Sequence, residues 1–188
     1  MTSNLSQFIK FLKEEISENQ ISSANTIDII DPRDRLENKS EICVKPKNTQ
    51  EVSKILKLAN KFTIPIIPIG GSTGLVGGQI ASQSNHVTLS LEKLNTINFY
   101  KESNLLYVQS GAILSNIKKL AFNNGRLFPL SLSSEGSCQI GGNLATNAGG
   151  LNVIKYGNVR DLCLGLEAVL PCGPVSYTHL RAHETDLN

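Results

Sequence analysis

The segment PIGGSTGLVGG, residues 68–78, constrains this chain more than any other. It places five glycines among eleven residues, directly after an apolar run over 65–69 that reads as a buried strand. A backbone so poor in Cβ atoms can adopt positive φ and approach a ligand closely. Successive N–H groups in such turns form an anion-binding nest, and Ser72 and Thr73 add hydroxyl donors. The chemistry implied is pyrophosphate binding without cationic side chains. No GKS or GKT follows, so this is not a Walker loop. Residues 79–85 are polar and lead to a strand, so it is not a GxGxxG turn that opens a helix. A nicotinamide Rossmann site and an ATPase site are both disfavoured. A glycine-rich hairpin or bulge loop without a ligand stays open.

A second stretch, SSEGSCQIGGNLATNAGG over 133–150, has related composition. Gly141 and Gly142 followed by Asn143, Thr146 and Asn147 put small and amide side chains on a short helical segment. Amides both donate and accept hydrogen bonds, which suits the edges of a flavin ring and a ribityl chain. The alternative is a tight structural loop of the ordinary Gly/Asn kind.

Around these stretches the elements are readable. Leu5, Phe8, Ile9, Leu12 and Ile16 recur at helical spacing, and residues 17–40 are polar. A short strand over 42–45 leads into a helix that Asn48 and Glu51 start in the manner of a capping box. Val52, Ile55, Leu56 and Ala59 form its buried face. With the strand over 65–69 this makes a βαβ unit, so its two strands are parallel. Strands over 86–90, 97–100 and 105–109 follow at short spacing and predict a mostly antiparallel sheet. Ile113, Ile117, Leu120 and Ala121 predict another helix, closed at Asn124 and Gly125. Residues 162–170 read as a last strand. The fold class is α+β in two subdomains: a small βαβ subdomain and a larger, mostly antiparallel sheet with helices.

Lys and Glu are interspersed and the net charge is +2, which leaves no electrostatic footprint for nucleic acid. The apolar runs are strand-length and none spans a membrane. Cys43, Cys138, Cys163 and Cys172 show no CxxC. They are read as free thiols in a reducing compartment, no metal site is assigned, and the protein is expected in the cytoplasm. Residues 175–185, VSYTHLRAHET, match the peptide that a transposase-type sequencing adapter encodes in one frame. Residues 174–188 are therefore expected to be a non-native tail and are left out of the reading of the fold. The chain then divides into an N-terminal helix and loop (1–40), a domain cut short at its C-terminal end (41–173) and that tail.

The two glycine-rich stretches carry a family resemblance. With them go Lys45, Pro46, TQEV over 49–52, Gly111, Phe128, Pro129, Lys155, Tyr156, Gly157 and residues 159–170. The chain resembles the FAD-linked oxidases of the p-cresol methylhydroxylase and vanillyl-alcohol oxidase superfamily over 41–173. Within it, it looks closest to the branch of the glycolate oxidase D-subunit, D-lactate dehydrogenase and D-2-hydroxyglutarate dehydrogenase. The resemblance implies that Pro68, Gly70, Gly71, Ser72, Thr73, Gly74, Leu75, Gly77 and Gly78 wrap the FAD pyrophosphate. It implies that Ser137, Gly141, Gly142, Asn143, Thr146 and Asn147 line the flavin and ribityl chain, with Gly149 and Gly150 closing the turn. Some members bond flavin to a His beside the first loop. That loop has neither His nor Cys here, so FAD is expected to be non-covalent. Where members often carry an acidic residue or Asn before the last Gly, this chain has Cys172.

The activity implied is oxidation of a small D-2-hydroxy acid by hydride transfer to flavin, with the electron acceptor unassigned. The base and metal ligands of the family belong to a later, cap-containing part, so no catalytic residue is assigned. The rivals are a non-catalytic FAD-binding fragment and a sugar or alcohol oxidase on the same domain. Among lone residues, His86 and Glu135 read chiefly as surface groups. Lys155 and Arg160 are candidates to meet phosphate, although exposed charge is the commoner case.

Overall fold

The computed structural model describes residues 3–24, 29 and 31–179. Helix α1 (Ser3–Glu15) presents Leu5, Phe8 and Leu12, each at most 1% exposed, to helix α2 (Thr49–Phe62) and the sheet beneath. Their spacing of three and four residues puts them on one stripe. Helix α2 begins where expected: Asn48 is extended at φ −154° and its side chain accepts the Glu51 N–H at 2.8 Å. The Glu51 carboxylate accepts the Lys47 N–H at 2.7 Å and Gln20 Nε2 at 2.5 Å. Gln20, 1% exposed, also donates to the Lys45 carbonyl at 3.1 Å, which ties the chain after α1 to the start of α2.

Strands β1 (Ile21–Ser23), β2 (Ile42–Val44), β3 (Ile66–Ile69) and β4 (Val87–Ser90) form one sheet in the order β1-β2-β4-β3. Strand β1 is antiparallel to β2, while β2 and β3 are each parallel to β4. Val44, Val87 and Leu89 face α1 and α2. Cys43 and Ile69 face the other side, with Ala24, Ile29, Ile67 and Ile80. The expected parallel relation of β2 and β3 holds, but they are not neighbours. Strand β4 was expected to open the antiparallel run and instead lies between them. Residues 70–86 are long enough for the crossover that a parallel pair requires. All four β4 residues are buried, as a central strand covered on both faces must be.

Strands β5 (Ile97–Tyr100) and β6 (Leu105–Val108) make an antiparallel hairpin. It packs with helices α3 (Leu114–Asn123) and α4 (Ile140–Thr146) around Ala112, Leu114, Ile117, Leu130, Cys138, Ile140 and Val159. Helix α3 ends at Asn124, with Gly125 at φ +66°. A short helix α5 (Val153–Tyr156) and a 3-10 turn over Val159–Leu162 lead to strand β7 (Gly165–Val169). The architecture is α+β as expected, but outside the four-stranded sheet the antiparallel pairs are two-stranded hairpins.

Strand β8 (Val175–His179), within the stretch set aside as a non-native tail, pairs antiparallel with β7. The hairpin turns at Gly173, φ +99°, whose carbonyl accepts the Ser53 hydroxyl of α2 at 2.5 Å. Pairing of this kind asks for backbone groups and strand-compatible residues such as Val175, Tyr177 and Thr178, so an unpatterned peptide can supply it. The expectation for residues 180–188 lies outside the described residues.

The four cysteines are free. Burial pushes the Cys43 thiol up from 9.0 to about 11, with Lys45 opposing. Its proton is thus held more tightly in the folded state. The stability this contributes is complete below pH 9 and is lost as pH rises towards 11. At neutral pH, iodoacetamide should alkylate the exposed Cys172 and leave Cys43 and Cys138 untouched until denaturant is added. Peptide mapping of the native protein checks this, and early labelling at Cys43 would contradict the packing.

Candidate functional site

The chain leaves β3 at Ile69, which pairs with Ser90 at the carboxyl end of the parallel strands. That edge is where α/β sheets place ligands. Here the two glycine-rich stretches meet. A Cβ on Gly71 would lie 2.0 Å from the Ser137 carbonyl oxygen and 3.1 Å from Cys138 Cα. One on Gly70 would lie 3.3 Å from Gln139 Oε1. The second stretch is itself seated on residues 110–114. The Gly141 N–H donates to the Ser110 carbonyl at 2.8 Å, and Ile140 N–H to the Ala112 carbonyl at 3.0 Å. A Gly141 Cβ would meet Ser110 Cβ at 2.7 Å. In the first loop Gly77 is at φ +77°, as is the non-glycine Ser72 at +51°. At Gly71 and Gly141 the glycine serves contact between backbones.

The polar groups of the first loop are sorted by direction. Among the described residues, no N–H of residues 71–78 donates to a protein acceptor. The carbonyls, by contrast, are tied back. Gly74 O accepts Gln79 Nε2 at 2.9 Å, Leu75 O accepts Arg35 Nη2 at 2.6 Å, and Gly77 O accepts the Ile80 N–H at 3.0 Å. In a planar trans peptide the C=O and N–H point oppositely. Holding the carbonyls of 74, 75 and 77 therefore aims the N–H groups of Leu75, Val76 and Gly78 away from those anchors. These N–H groups are donors without protein acceptors, the raw material of a phosphate-binding nest. In the second stretch, Gln139 Oε1 and Asn143 Oδ1 are buried acceptors without a partner. Unpaired buried polar atoms are rare and costly. Nothing lies within 4 Å of a Cβ built on Gly78 or Gly142. Unpaired N–H donors on one stretch and unsatisfied acceptors on the other suit a flavin dinucleotide.

Not every expected residue joins this surface. Asn147 is the left-handed cap of α4 at φ +51°, and its side chain accepts the Arg160 N–H at 3.3 Å. Thr146 Oγ1 donates to the Gly142 carbonyl at 2.9 Å. Gly149 meets Asn158, and Gly150, at φ +101°, meets the Ser131 carbonyl. Pro68 lies within β3. The Arg160 guanidinium is spent on the Leu144 and Ala145 carbonyls at 2.9 and 2.8 Å, so it closes α4. Lys155 lies over the Tyr156 ring, 5.1 Å from its centroid. Glu135 is ion-paired with Lys118. His86 precedes β4, at the end of the sheet opposite the glycine loop. Gln139 lies inside the second glycine-rich stretch but carries no sequence signal of its own. Nor does any motif mark Arg35 or Gln79. Among the described residues no group of three His, Cys, Asp or Glu could hold a metal, and no helix is long and apolar enough to cross a membrane.

The chain resembles known proteins along most of its length. A protein of Schizosaccharomyces pombe named as a mitochondrial D-lactate dehydrogenase is 40% identical over 162 residues, 85% of this chain and 31% of that one. The mitochondrial D-2-hydroxyglutarate dehydrogenase of Arabidopsis thaliana is 37% identical over 178 residues, 90% of this chain and 31% of that one. This chain thus spans about a third of the length of the curated relatives it matches. An alkyldihydroxyacetonephosphate synthase structure superimposes with a TM-score of 0.80 at 23% identity, over 95% of this chain and 38% of that one, which shows a shared fold. The cytoplasmic expectation is corrected by these relatives, whose names place them in mitochondria. Unpaired cysteines do not single out one compartment. The FAD binding domain family matches residues 40–178, a span that takes in both glycine-rich stretches and the sheet edge where they meet, so the chain belongs to that family and FAD is its cofactor.

Proposed function

We propose that this chain is the FAD-binding part of a dehydrogenase that oxidises a small D-2-hydroxy acid. The observation that carries this reading is the identity of 37–40%, over most of the chain, to proteins named for D-lactate and D-2-hydroxyglutarate. In this reading the N–H row over 71–78 holds the pyrophosphate, with Pro68, Gly70, Ser72 and Thr73 shaping its approach. Ser137, Gly141, Gly142 and Asn143 lie along the flavin and ribityl chain, and Gln139 and Asn143 offer their unpaired acceptors to it. Thr146, Asn147, Gly149 and Gly150 act one step back, by fixing how α4 ends. Residues 68–78 contain no His or Cys, so FAD is held without a covalent bond. Bound FAD supplies the two-electron acceptor for the substrate's α-hydrogen. The residues of this chain bind and orient the cofactor, which is where proximity effects begin. Glycolate, the smallest acid of the class, stays a candidate beside D-lactate and D-2-hydroxyglutarate.

Two measurements test the reading. Titrating the 188-residue chain with FAD should change flavin fluorescence to a saturating end point, and acid precipitation should return all flavin to the supernatant. A protein of the relatives' full length that contains this chain, given an artificial electron acceptor, should oxidise at least one of the three acids. It should leave L-lactate and L-2-hydroxyglutarate untouched. Absence of FAD uptake by that longer protein, or oxidation of a sugar and none of the acids, would overturn the proposal.

A further inference from the structure

We propose that Arg35 is a positioning residue for the phosphate-binding loop, acting from a strap over residues 31–40 that clamps the loop from outside. The inference rests on the FAD reading above for the identity of the ligand, and on hydrogen bonds alone for the clamp. The strap is sewn to the body at several points. The Ser40 hydroxyl lies 2.8 Å from the Ile42 carbonyl oxygen and 3.0 Å from that of His86. Asn38 Oδ1 accepts the Ala81 N–H at 3.1 Å, and the Lys39 N–H donates to the Ala81 carbonyl at 2.8 Å. Leu36 lies so close over Gly77 that a Cβ there would be 2.3 Å from its Cδ1. The Asp31 carboxylate, buried, accepts the N–H groups of Arg33 and Arg35 at 3.2 and 3.0 Å, and its Oδ2 is 3.4 Å from Arg35 Nε. Arg35 is thereby oriented at both its backbone and its guanidinium, and its Nη2 reaches the Leu75 carbonyl at 2.6 Å.

The loop tip needs such an anchor. Leu75 and Val76 are 47% and 84% exposed, so packing does little to hold them. With the Leu75 carbonyl held by Arg35, the Val76 N–H is committed to the opposite direction. Without it the peptide between 75 and 76 can turn, and a carbonyl oxygen can face the phosphates. Burial pushes the Asp31 carboxyl up, but the N–H groups of Arg33 and Arg35 and the Arg35 charge outweigh it and hold it below the ordinary carboxylate range. The carboxylate that aims Arg35 is therefore ionised at neutral pH.

The test compares the wild-type chain with Arg35→Ala and Arg35→Lys. In the absence of FAD, hydrogen exchange is read at the amides of Lys39, Ile80 and Ala81, with Ile55 and Ile117 as controls. The clamp requires faster exchange at the first three in Arg35→Ala with unchanged controls, while any fall in melting temperature reports the buried Asp31 left without its cation. Arg35→Lys should recover part of the protection, because an ammonium still reaches the carbonyl. In FAD titrations Arg35→Ala should bind about tenfold more weakly, the scale of one charge-assisted hydrogen bond at a half-exposed site. The slope of affinity against salt should stay that of the wild type, since Arg35 holds a carbonyl and not a phosphate. Unchanged exchange in Arg35→Ala, or unchanged affinity while the wild type binds, overturns the proposal. If the wild type takes up no FAD, the cofactor role of the clamp fails with the FAD reading, and the exchange data alone decide whether the strap holds the loop.

Discussion

Gly71→Ala should cost roughly 1–3 kcal/mol of stability, the range for overpacking a filled site, and should remove most FAD binding. The new Cβ would sit 2.0 Å from the Ser137 carbonyl oxygen and 2.8 Å from its carbon, both backbone atoms that cannot rotate aside. The two stretches must then part, and parting them separates the N–H row from the Gln139 and Asn143 acceptors. Gly78→Ala is the control. Nothing lies within 4 Å of its Cβ, so its stability should stay within about 0.5 kcal/mol of wild type, while its methyl enters the proposed cradle and weakens FAD binding. Urea denaturation and flavin fluorescence titration separate the two effects. A Gly71→Ala protein that binds FAD as tightly as wild type would show that the meeting of the two stretches does not build the site.

Phe8→Ala should be the most destabilising side-chain truncation in α1, at about 3–5 kcal/mol. Phe8 is 0% exposed and belongs to the cluster that joins α1, α2 and the sheet. Since small proteins hold only about 5–15 kcal/mol in total, such a loss should leave the variant close to unfolding at room temperature. The effect also tests whether the N-terminal helix belongs to the same cooperative unit as the nucleotide-binding sheet. The urea midpoint should fall with the slope unchanged. A loss below about 1 kcal/mol would mean that α1 is an appendage, as surface substitutions are.

What could be read from the sequence was local. The stripe of Leu5, Phe8 and Leu12, the Asn48 cap and the turn at Gly125 each depend on residues a few positions apart, and each appears as expected. The partner of β4 depends on register between distant segments. Val87, Thr88, Leu89 and Ser90 alternate apolar with polar, which suggests a half-wet antiparallel strand. Thr88 and Ser90 are in fact 0% and 2% exposed. The glycine-rich loop was legible, but the reason for the glycine at 71 was not. Positive φ and close approach both demand a missing Cβ, and only the Ser137 carbonyl tells them apart. Arg35 had no signal at all. It sits in a polar stretch without period, and its partner is forty residues away. The strand at 175–179 was hidden for the converse reason, because pairing with β7 requires little of its sequence.

The place of β4 between β2 and β3 sets an order of events during synthesis. Strand β2 has β1 on one edge, but its other edge and the whole of β3 wait for a strand that leaves the ribosome after the glycine loop. Closing a long loop before any pairing is gained is slow. Until Ser90 has emerged, the nascent chain exposes two unpaired strand edges and an unshaped loop. The step that closes the sheet is then the same step that pins both ends of residues 70–86. Sheet and glycine loop thus become native together, and a nascent chain halted before β4 would hold neither.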